Sequence, residues 1–535
     1  MFEHFGRLAS DRRGNFAMMM AIGAVPLLLG MGVALDYASM SRIKSQLQQA
    51  MDSAALAVAR HGTKLSNDQA VEIAANFVTT NFDPKYTDLS VERVGTGVIV
   101  SAATRAPLAF GNLFGYDNWP IAASSSADIA YMSYEIALVL DTTGSMKGGK
   151  LSSMKDAVGG MVESMSAQVN DTDKLKYAVV PFANFVNVGP EYGPKFDDDG
   201  RIKPSTGAAW LDLKGVSEVP QLELVPGLSR FELFHNLGQE WKGCVETRVR
   251  SAGGDHDTAD SPAVASDRAS LFVPAFAIDE PKVGGYRNNY IVSNVDPFAT
   301  NGPGKVAKLR KYGVPDSQIG DLLGLLGGVR GLLTGETAWA DVDADMSGGK
   351  GPNSGCVTQP IMPLNSNYAS IVSKVNSLQA NGTTNIMEGV AWGTRVLTPG
   401  EPFGQGADKA KKQVDKIMVV LTDGANVFGN NSTKLGSDYA SHGYLVDGRL
   451  GITTGDSNAT NALMNARTLD ACTSAKAAGI EVYTIRLEEP DKATGTMLQE
   501  CATSAGHYFD APSRSQLDEV FAKISERIVR VRISS

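Results

Sequence analysis

The residues best placed to do chemistry lie in Tyr134–Ser145, YEIALVLDTTGS, where an apolar run ends in a carboxylate and two hydroxyls follow on a glycine turn. Asp141, Thr143 and Ser145 alternate, so a loop that curls back on itself aims three oxygens at one point. Donors of this kind suit a hard cation, Mg²⁺ first, with Mn²⁺ or Ca²⁺ as alternatives. Two later stretches carry matching pieces. In Asn381–Glu388, NGTTNIME, polar residues precede a helix start and offer Thr384. In Lys416–Gly424, KIMVVLTDG, a second apolar strand ends in Asp423. Ile136 to Leu140 reads as a strand buried on both faces, as in a parallel sheet. Such a strand delivers its last side chains to the carboxyl edge of the sheet, where open α/β folds keep their ligand sites.

Together the three stretches resemble the metal-ion-dependent adhesion site of the von Willebrand factor A (vWA) family: D-x-[ST]-x-S, then a threonine, then an aspartate after a strand. The matching residues are Asp141, Thr143, Ser145, Thr384 and Asp423, with Thr143 in place of the more usual serine. The resemblance implies a vWA-type doubly wound, mostly parallel α/β sheet. It also implies an ion held by the hydroxyls of Thr143, Ser145 and Thr384, with Asp141 and Asp423 acting largely through water. An Asp or Glu of a partner protein would fill the remaining coordination position, and no enzymatic activity is expected. Asp-Thr-Thr-Gly-Ser also resembles the phosphorylated-aspartate motif of P-type ATPases and their phosphatase relatives, which would make Asp141 a nucleophile. That chemistry needs a lysine near the phosphate and an acidic pair after a later strand. LTDGAN supplies one acid, and no multi-span transport domain is present.

The elements that must position these residues follow from pattern. The α/β domain is expected over residues 133–535. Helices are predicted over Lys150–Ala167, Tyr368–Leu378, Met387–Val396, Asn461–Ala478, Ala493–Ala505 and Gln516–Val531. Strands are predicted over Lys176–Ala183, Lys416–Leu421, Glu481–Leu487 and His507–Asp510, with Phe185–Val188 as an antiparallel edge partner. Residues 190–364 interrupt the pattern with glycine and proline throughout. They predict a subdomain of short strands and loops near the metal-bearing edge, with Leu322–Leu333 as its most apolar segment. Residues 425–460 form a second, polar insertion. Asp341, Asp343 and Asp345 begin like a calcium loop, but Met346 and Pro352 stand where glycine and glutamate are needed. Asp197–Gly200 reads as a solvated turn.

The N-terminal part predicts a membrane anchor. Phe16 to Leu35 carries no charge and is long enough to cross a bilayer. Arg7, Arg12 and Arg13 precede it and Asp36 follows, so residues 1–15 are expected in the cytoplasm and the rest outside it, in the periplasm or beyond. The helix continues with Met40, Ile43, Leu47, Ala50, Ala54 and Ala57 on one face, and His61-Gly62 is expected to end it. Asp68–Phe82 predicts a second helix and Leu89–Tyr131 a small sheet, which completes a pilin-like segment over 36–132. The stretch from RRGNFAMMM to DSAALAVA resembles the N-terminal segment of TadE/TadG-like Flp pilus-assembly proteins, which span the membrane once. Prepilin processing needs a glutamate that Phe16–Ile22 lacks, so the anchor is expected to be retained. The resemblance implies an inner-membrane protein whose partners are pilus-assembly or surface components. A purely structural minor-pilin scaffold is the metal-free alternative.

The net charge of −9, with no basic block, speaks against nucleic acid as a partner. Six scattered histidines, and four cysteines without C-x-x-C spacing, speak against zinc, haem and iron–sulfur sites. Outside the cytoplasm four cysteines suggest two disulfides, with three connectivities open. Cys472 and Cys501 sit in neighbouring late helices and can meet, which leaves Cys244 and Cys356 to staple the insertion.

Overall fold

Helix α1 (Asn15–Arg60) is continuous, although Gly23, Pro26, Gly30 and Gly32 lie within its apolar run. The computed structural model describes residues 15–60, 65–94, 97–128, 133–169, 172–219, 221–251, 254–291, 293–324, 333, 335–411 and 413–528. Arg7, Arg12 and Arg13, the His61-Gly62 stop, residues 325–332 of the apolar segment and the last residues of the closing helix lie outside the described residues. Among the described residues α1 is the one helix long and apolar enough to cross a membrane. The described residues up to 128 form one compact unit and those from 133 to 528 another.

In the first unit, the second half of α1 presents the expected stripe: Ile43, Leu47, Ala50, Ala54 and Ala57 are all buried. Their partner is a sheet of the same unit. It is a three-stranded antiparallel meander of β1 (Tyr86–Val94), β2 (Gly97–Pro107) and β3 (Asn118–Asp128). Val98, Val100, Ala102 and Ala123 meet the stripe, and the small side chains let helix and sheet approach closely. Helix α2 (Asn67–Asn81) opens on a capping box in which Ser66 and Gln69 satisfy each other's backbone N–H. Ala70, Ala74 and Val78 bury its inner face.

The second unit is a doubly wound α/β fold, as expected. Strand β4 (Ser133–Asp141) leads into helix α3 (Gly149–Gln168) and strand β5 (Leu175–Phe182). Two-residue β6 (Val186–Asn187), helix α4 (Arg230–Asn236), β7 (Cys244–Val245), α5 (Gly302–Arg310) and α6 (Asp316–Leu322) follow. Then come β8 (Met362–Asn365), α7 (Tyr368–Ser377), α8 (Ile386–Leu397) and β9 (Val414–Thr422). Helix α9 (Ser457–Ala477), β10 (Ile480–Leu487), α10 (Lys492–Cys501), β11 (Tyr508–Ala511) and α11 (Leu517–Ile528) complete it. The sheet order is β8-β5-β4-β9-β10-β11, and every neighbouring pair is parallel except β8 with β5.

Alternation along β4 sorts the two layers. Ile136, Leu138 and Leu140 pack under α3, α7 and α11, while Ala137 and Val139 face α8, α9 and α10. Leu517, Val520, Phe521, Ile524 and Ile528 bury one side of α11 against this sheet, as their spacing predicts.

Two expectations need correction. The antiparallel edge strand is Met362–Asn365, not Phe185–Val188. The chain runs on past the carboxyl end of β5 instead of turning back along it. Val186 and Asn187 therefore pair with Val245 and Cys244 in a separate two-stranded ribbon. Asn187 fixes that path by donating from its side-chain amide to the carbonyls of Lys242 and Thr358. Second, among the described residues the 190–364 insertion holds three short helices, α4 to α6, in addition to the short strands and loops expected. Much of its apolar surface joins the core of the sheet. Phe272 packs against Trp392 of α8, and Phe231, Phe234, Phe276 and Tyr312 extend the apolar layer of the sheet. The smaller insertion, for all its polar composition, buries Leu435, Tyr439 and Tyr444 beside Phe185 and the Cys244–Cys356 bridge.

Both cysteine pairs are bonded, Cys244 with Cys356 over 112 residues and Cys472 with Cys501 over 29. Loop-closure entropy grows with the span closed. Serine at both Cys244 and Cys356 is therefore expected to lower the unfolding free energy by roughly 4–5 kcal/mol, and at both Cys472 and Cys501 by roughly 3–4 kcal/mol. Denaturant unfolding of the oxidised protein and the two double variants checks this. Equal midpoints for all three proteins would show that neither bridge constrains the unfolded chain.

Candidate functional site

The parallel register of β4 and β9 pairs Leu140 with Leu421, so Asp141 and Thr422 end their strands side by side at one rim. Asp423 follows at once. Thr384 arrives from the turn before α8, and that turn is tied to the others by backbone bonds. Asn381 N donates to Thr142 O at 2.8 Å, Gly144 N to Gly382 O at 2.9 Å, and Asn385 N to Ala183 O at 3.1 Å. Gly382 has φ +84°, and a Cβ there would stand 2.7 Å from Asn184 Oδ1, so only glycine lets the turn press this closely. Helix α8 is pinned at its start by Asn426, whose Oδ1 accepts from Ile386 N at 2.9 Å, and is capped by Asn385.

The structure brings all five expected residues together. Asp141 is fully buried; its Oδ1 accepts from Thr143 N at 2.8 Å and its Oδ2 from the Thr422 hydroxyl at 2.6 Å. The hydroxyls of Thr143 and Ser145 lie 2.9 Å apart, and Ser145 Oγ donates to Asp423 Oδ1 at 2.6 Å. A Cβ built on Gly424 would touch both Thr384 Oγ1, at 3.4 Å, and Ser145 Oγ, at 3.6 Å. Thr143, Thr384 and Asp423 are buried, while Ser145 is the exposed member and marks the open side.

Two participants escaped the sequence reading. Lys150, at the start of α3, places Nζ 2.6 Å from Asp423 Oδ2. Thr422 holds Asp141. Its signal was the single hydroxyl that closes the otherwise apolar strand before Asp423; Lys150 sat beyond a glycine pair whose path the sequence does not fix.

The electrostatics favour a cation. Burial first, and then the charge of Asp423, push the Asp141 carboxyl up to about 6, against the opposing bonds from Thr143 and Thr422. The folded value lies above the unfolded one. The associated stability is thus complete below about pH 4 and is lost as pH rises through about 6. Among the described residues, Lys150 is the one cation in ion-pair contact with these two carboxylates. The donors are all hard oxygens, three hydroxyls and two carboxylates, so the residues present fit Mg²⁺ or a similar divalent ion. Neither oxygen of Asp141 is exposed, which disfavours its use as a nucleophile.

Beside the site lies a cleft of about 310 Å³. Gly382 and Thr383 form one wall, Arg287 and Lys350 of the long insertion another, and Asp438 and Tyr439 of the short insertion a third. Asp341, Asp343 and Asp345 of the rejected calcium loop are exposed, with Asp345 Oδ1 accepting from Ser347 N.

Against known proteins, residues 14–61 match the model of the TadE/G-like Flp pilus-assembly family. No curated protein matches the chain. Several solved structures are similar. The pilus adhesin SpaC from Lactobacillus rhamnosus GG, in its open conformation, has 11% identity and TM-score 0.31, with 83% of this chain and 34% of that one covered. The vWF domain of the type V pili tip protein Mfa5 from Porphyromonas gingivalis has 9% identity and TM-score 0.32, covering 76% and 98%. The PilB minor pilin from Streptococcus sanguinis has 12% identity and TM-score 0.32, covering 83% and 78%. The chain spans about a third of the length of SpaC.

Thr422→Val is a near-isosteric change that removes the hydroxyl donor from Asp141. It is expected to cost on the order of 2 kcal/mol at pH 7.5, the worth of a hydrogen bond to a buried charge. The cost should shrink at pH 5, where Asp141, held up at about 6, is largely protonated. Urea unfolding at the two pH values measures both, and a cost independent of pH would mean that Asp141 is not the group being stabilised.

Proposed function

We propose that this protein is a membrane-anchored, non-enzymatic binding module of the TadG-like type, whose α/β head uses a divalent cation to grip partner proteins of an Flp-type pilus system. The convergence of Asp141, Thr143, Ser145, Thr384 and Asp423 at one sheet rim carries the metal part of the reading. The match over residues 14–61 and the membrane-length apolar helix support the pilus and anchor parts. The arginines before the span support an orientation in the inner membrane with the bulk of the chain on the periplasmic side.

Mg²⁺ at the rim would supply a Lewis-acidic point for an incoming carboxylate. The protein's own residues do the rest. Thr422 and Thr143 N hold Asp141 in place, the tied loops keep the hydroxyls converged, and Ser145 faces the open side. A partner Asp or Glu is the natural ligand, because it adds the negative charge that an incomplete protein shell leaves out. The adjoining cleft, with Arg287 and Lys350 on its wall, gives the surrounding partner surface somewhere to rest. Lys150 already holds Asp423, so this ammonium would compete with a bound ion for that carboxylate.

The expected result in a thermal-shift titration is a rise in melting temperature with Mg²⁺, reversed by EDTA and absent in Asp141→Ala. At a hundredfold excess over Kd the ion should add about 2.7 kcal/mol. Lys150→Met, which removes the competitor, should tighten binding roughly tenfold, about 1.4 kcal/mol. A wild-type protein indifferent to Mg²⁺, Mn²⁺ and Ca²⁺ would end the metal reading and leave the structural scaffold.

One observation favours the phosphatase-like alternative: Lys150 provides a lysine close to the carboxylates. It contacts Asp423, however, and Asp141 is buried. Beryllium fluoride is accordingly expected to leave the melting temperature unchanged in the presence of Mg²⁺. A stabilisation lost in Asp141→Asn would instead support the nucleophile.

A further inference from the structure

The turn joining β2 to β3 is an unusual place for large apolar side chains. Leu113, Phe114, Tyr116 and Trp119 are exposed by 68%, 57%, 57% and 47%, on a tip that also carries Arg105 bonded to Asn118. This tip is fastened to α1 at one level. The Asp36 carboxylate accepts from the backbone N–H of Ala109 at 2.8 Å, of Phe110 at 3.0 Å and of Gly111 at 2.9 Å. One turn earlier, roughly 6 Å down the helix axis, Phe110 lies so close on Gly32 that a Cβ there would fall 2.5 Å from the ring.

Those contacts set the tip against the point where α1 changes character. Before Asp36 the helix exposes Leu28, Met31, Val33 and Leu35; after it the apolar residues turn inward to the sheet. Asp36 itself is almost buried, and three N–H donors replace the water its charge would otherwise need. Tryptophan and tyrosine beside an arginine, at the end of an apolar span, have the composition of a membrane–water interface.

We propose that the β2–β3 tip is a second membrane contact. In this assignment Leu113 and Phe114 enter the leaflet on the Asp36 side, Tyr116 and Trp119 lie at headgroup level, and the tip fixes the depth and rotation of α1. The occupant of this exposed apolar surface is the lipid bilayer, because the surface is continuous with the span of α1 and held at its end. The proposal rests on the reading of α1 as a membrane span, and the test separates the two.

The full-length protein is reconstituted into vesicles of phosphatidylethanolamine and phosphatidylglycerol with and without brominated acyl chains. Each of three variants, Leu28→Cys, Phe114→Cys and Glu92→Cys, carries one bimane label. Glu92 pairs with Ile99, at the end of β2 away from the tip, and is the aqueous reference. The expected result is bromine quenching at positions 28 and 114 and none at 92. Quenching at 28 but not at 114 overturns the proposal and leaves the anchor standing. Absence of quenching at both 28 and 114 overturns the anchor reading and the proposal with it. Shielding of position 114 from aqueous iodide without bromine quenching means that protein, such as a second copy, covers the tip, and also overturns the proposal. Phe114→Ser, a change at an exposed side chain, should keep the protein folded and make a label at Leu28 less sharply placed in depth.

Discussion

Two buried carboxylates at the ends of adjacent parallel strands are the constraint around which the second unit is arranged. Burial first, and then the charge of Asp423, hold Asp141 up at about 6. Everything close by answers that charge. A backbone N–H and a threonine hydroxyl meet Asp141, and a serine hydroxyl and an ammonium meet Asp423. A parallel sheet makes the juxtaposition possible, since neighbouring strands finish at the same edge. It also makes it costly, since that edge is covered by the loops that follow.

Both insertions leave the sheet at this same edge, one after β5 and the other after β9, and they brace each other above it. Thr247 N donates to Ser441 O at 2.9 Å, Leu222 N to Asp447 Oδ1 at 3.2 Å, and Arg449 pairs with Glu246 at 2.7 Å. Glu246 also takes Arg230 at 2.8 Å, so a single buried carboxylate joins α4, β7 and the short insertion. A network of that kind contributes less to net stability than to a unique arrangement, because a half-satisfied version would leave charge in a dry interior. The cleft beside the rim residues therefore has walls drawn from both insertions.

The sheet and the rim residues could be read from the sequence because they depend on local rules. A strand buried on both faces is nearly all aliphatic, and a residue that closes it must lie at the edge. That is why Asp141 and Asp423 could be named as edge residues although they lie far apart in the chain, whereas Thr384, in a turn before a helix, joined them through the resemblance to the vWA adhesion site. What escaped depended on three-dimensional paths. Lys150 reaches Asp423 only because α3 starts where it does. Asn187, whose side chain bonds to two distant carbonyls, decides that the chain leaves β5 outward and so cedes the sheet edge to Met362–Asn365. The short helices of the long insertion were hidden by glycine and proline around them. The buried tyrosines of the short insertion were hidden by a polar composition that alone predicts exposure.

Helix α1 shows the same division between what composition fixes and what geometry adds. Uncharged residues that stay exposed before Asp36 and an alanine-rich stripe that is buried after it give one rod two different surroundings. Composition places the change near Asp36 but offers no reason why a carboxylate should tolerate the border. The folded chain supplies it, in three backbone N–H groups delivered by a turn far along the sequence. The chain itself thus supplies the partners of Asp36, and Phe110 on Gly32 extends the contact one turn further along the helix. The β2–β3 turn thus meets α1 at Asp36 and again one turn earlier, contacts that the composition of the helix does not foretell.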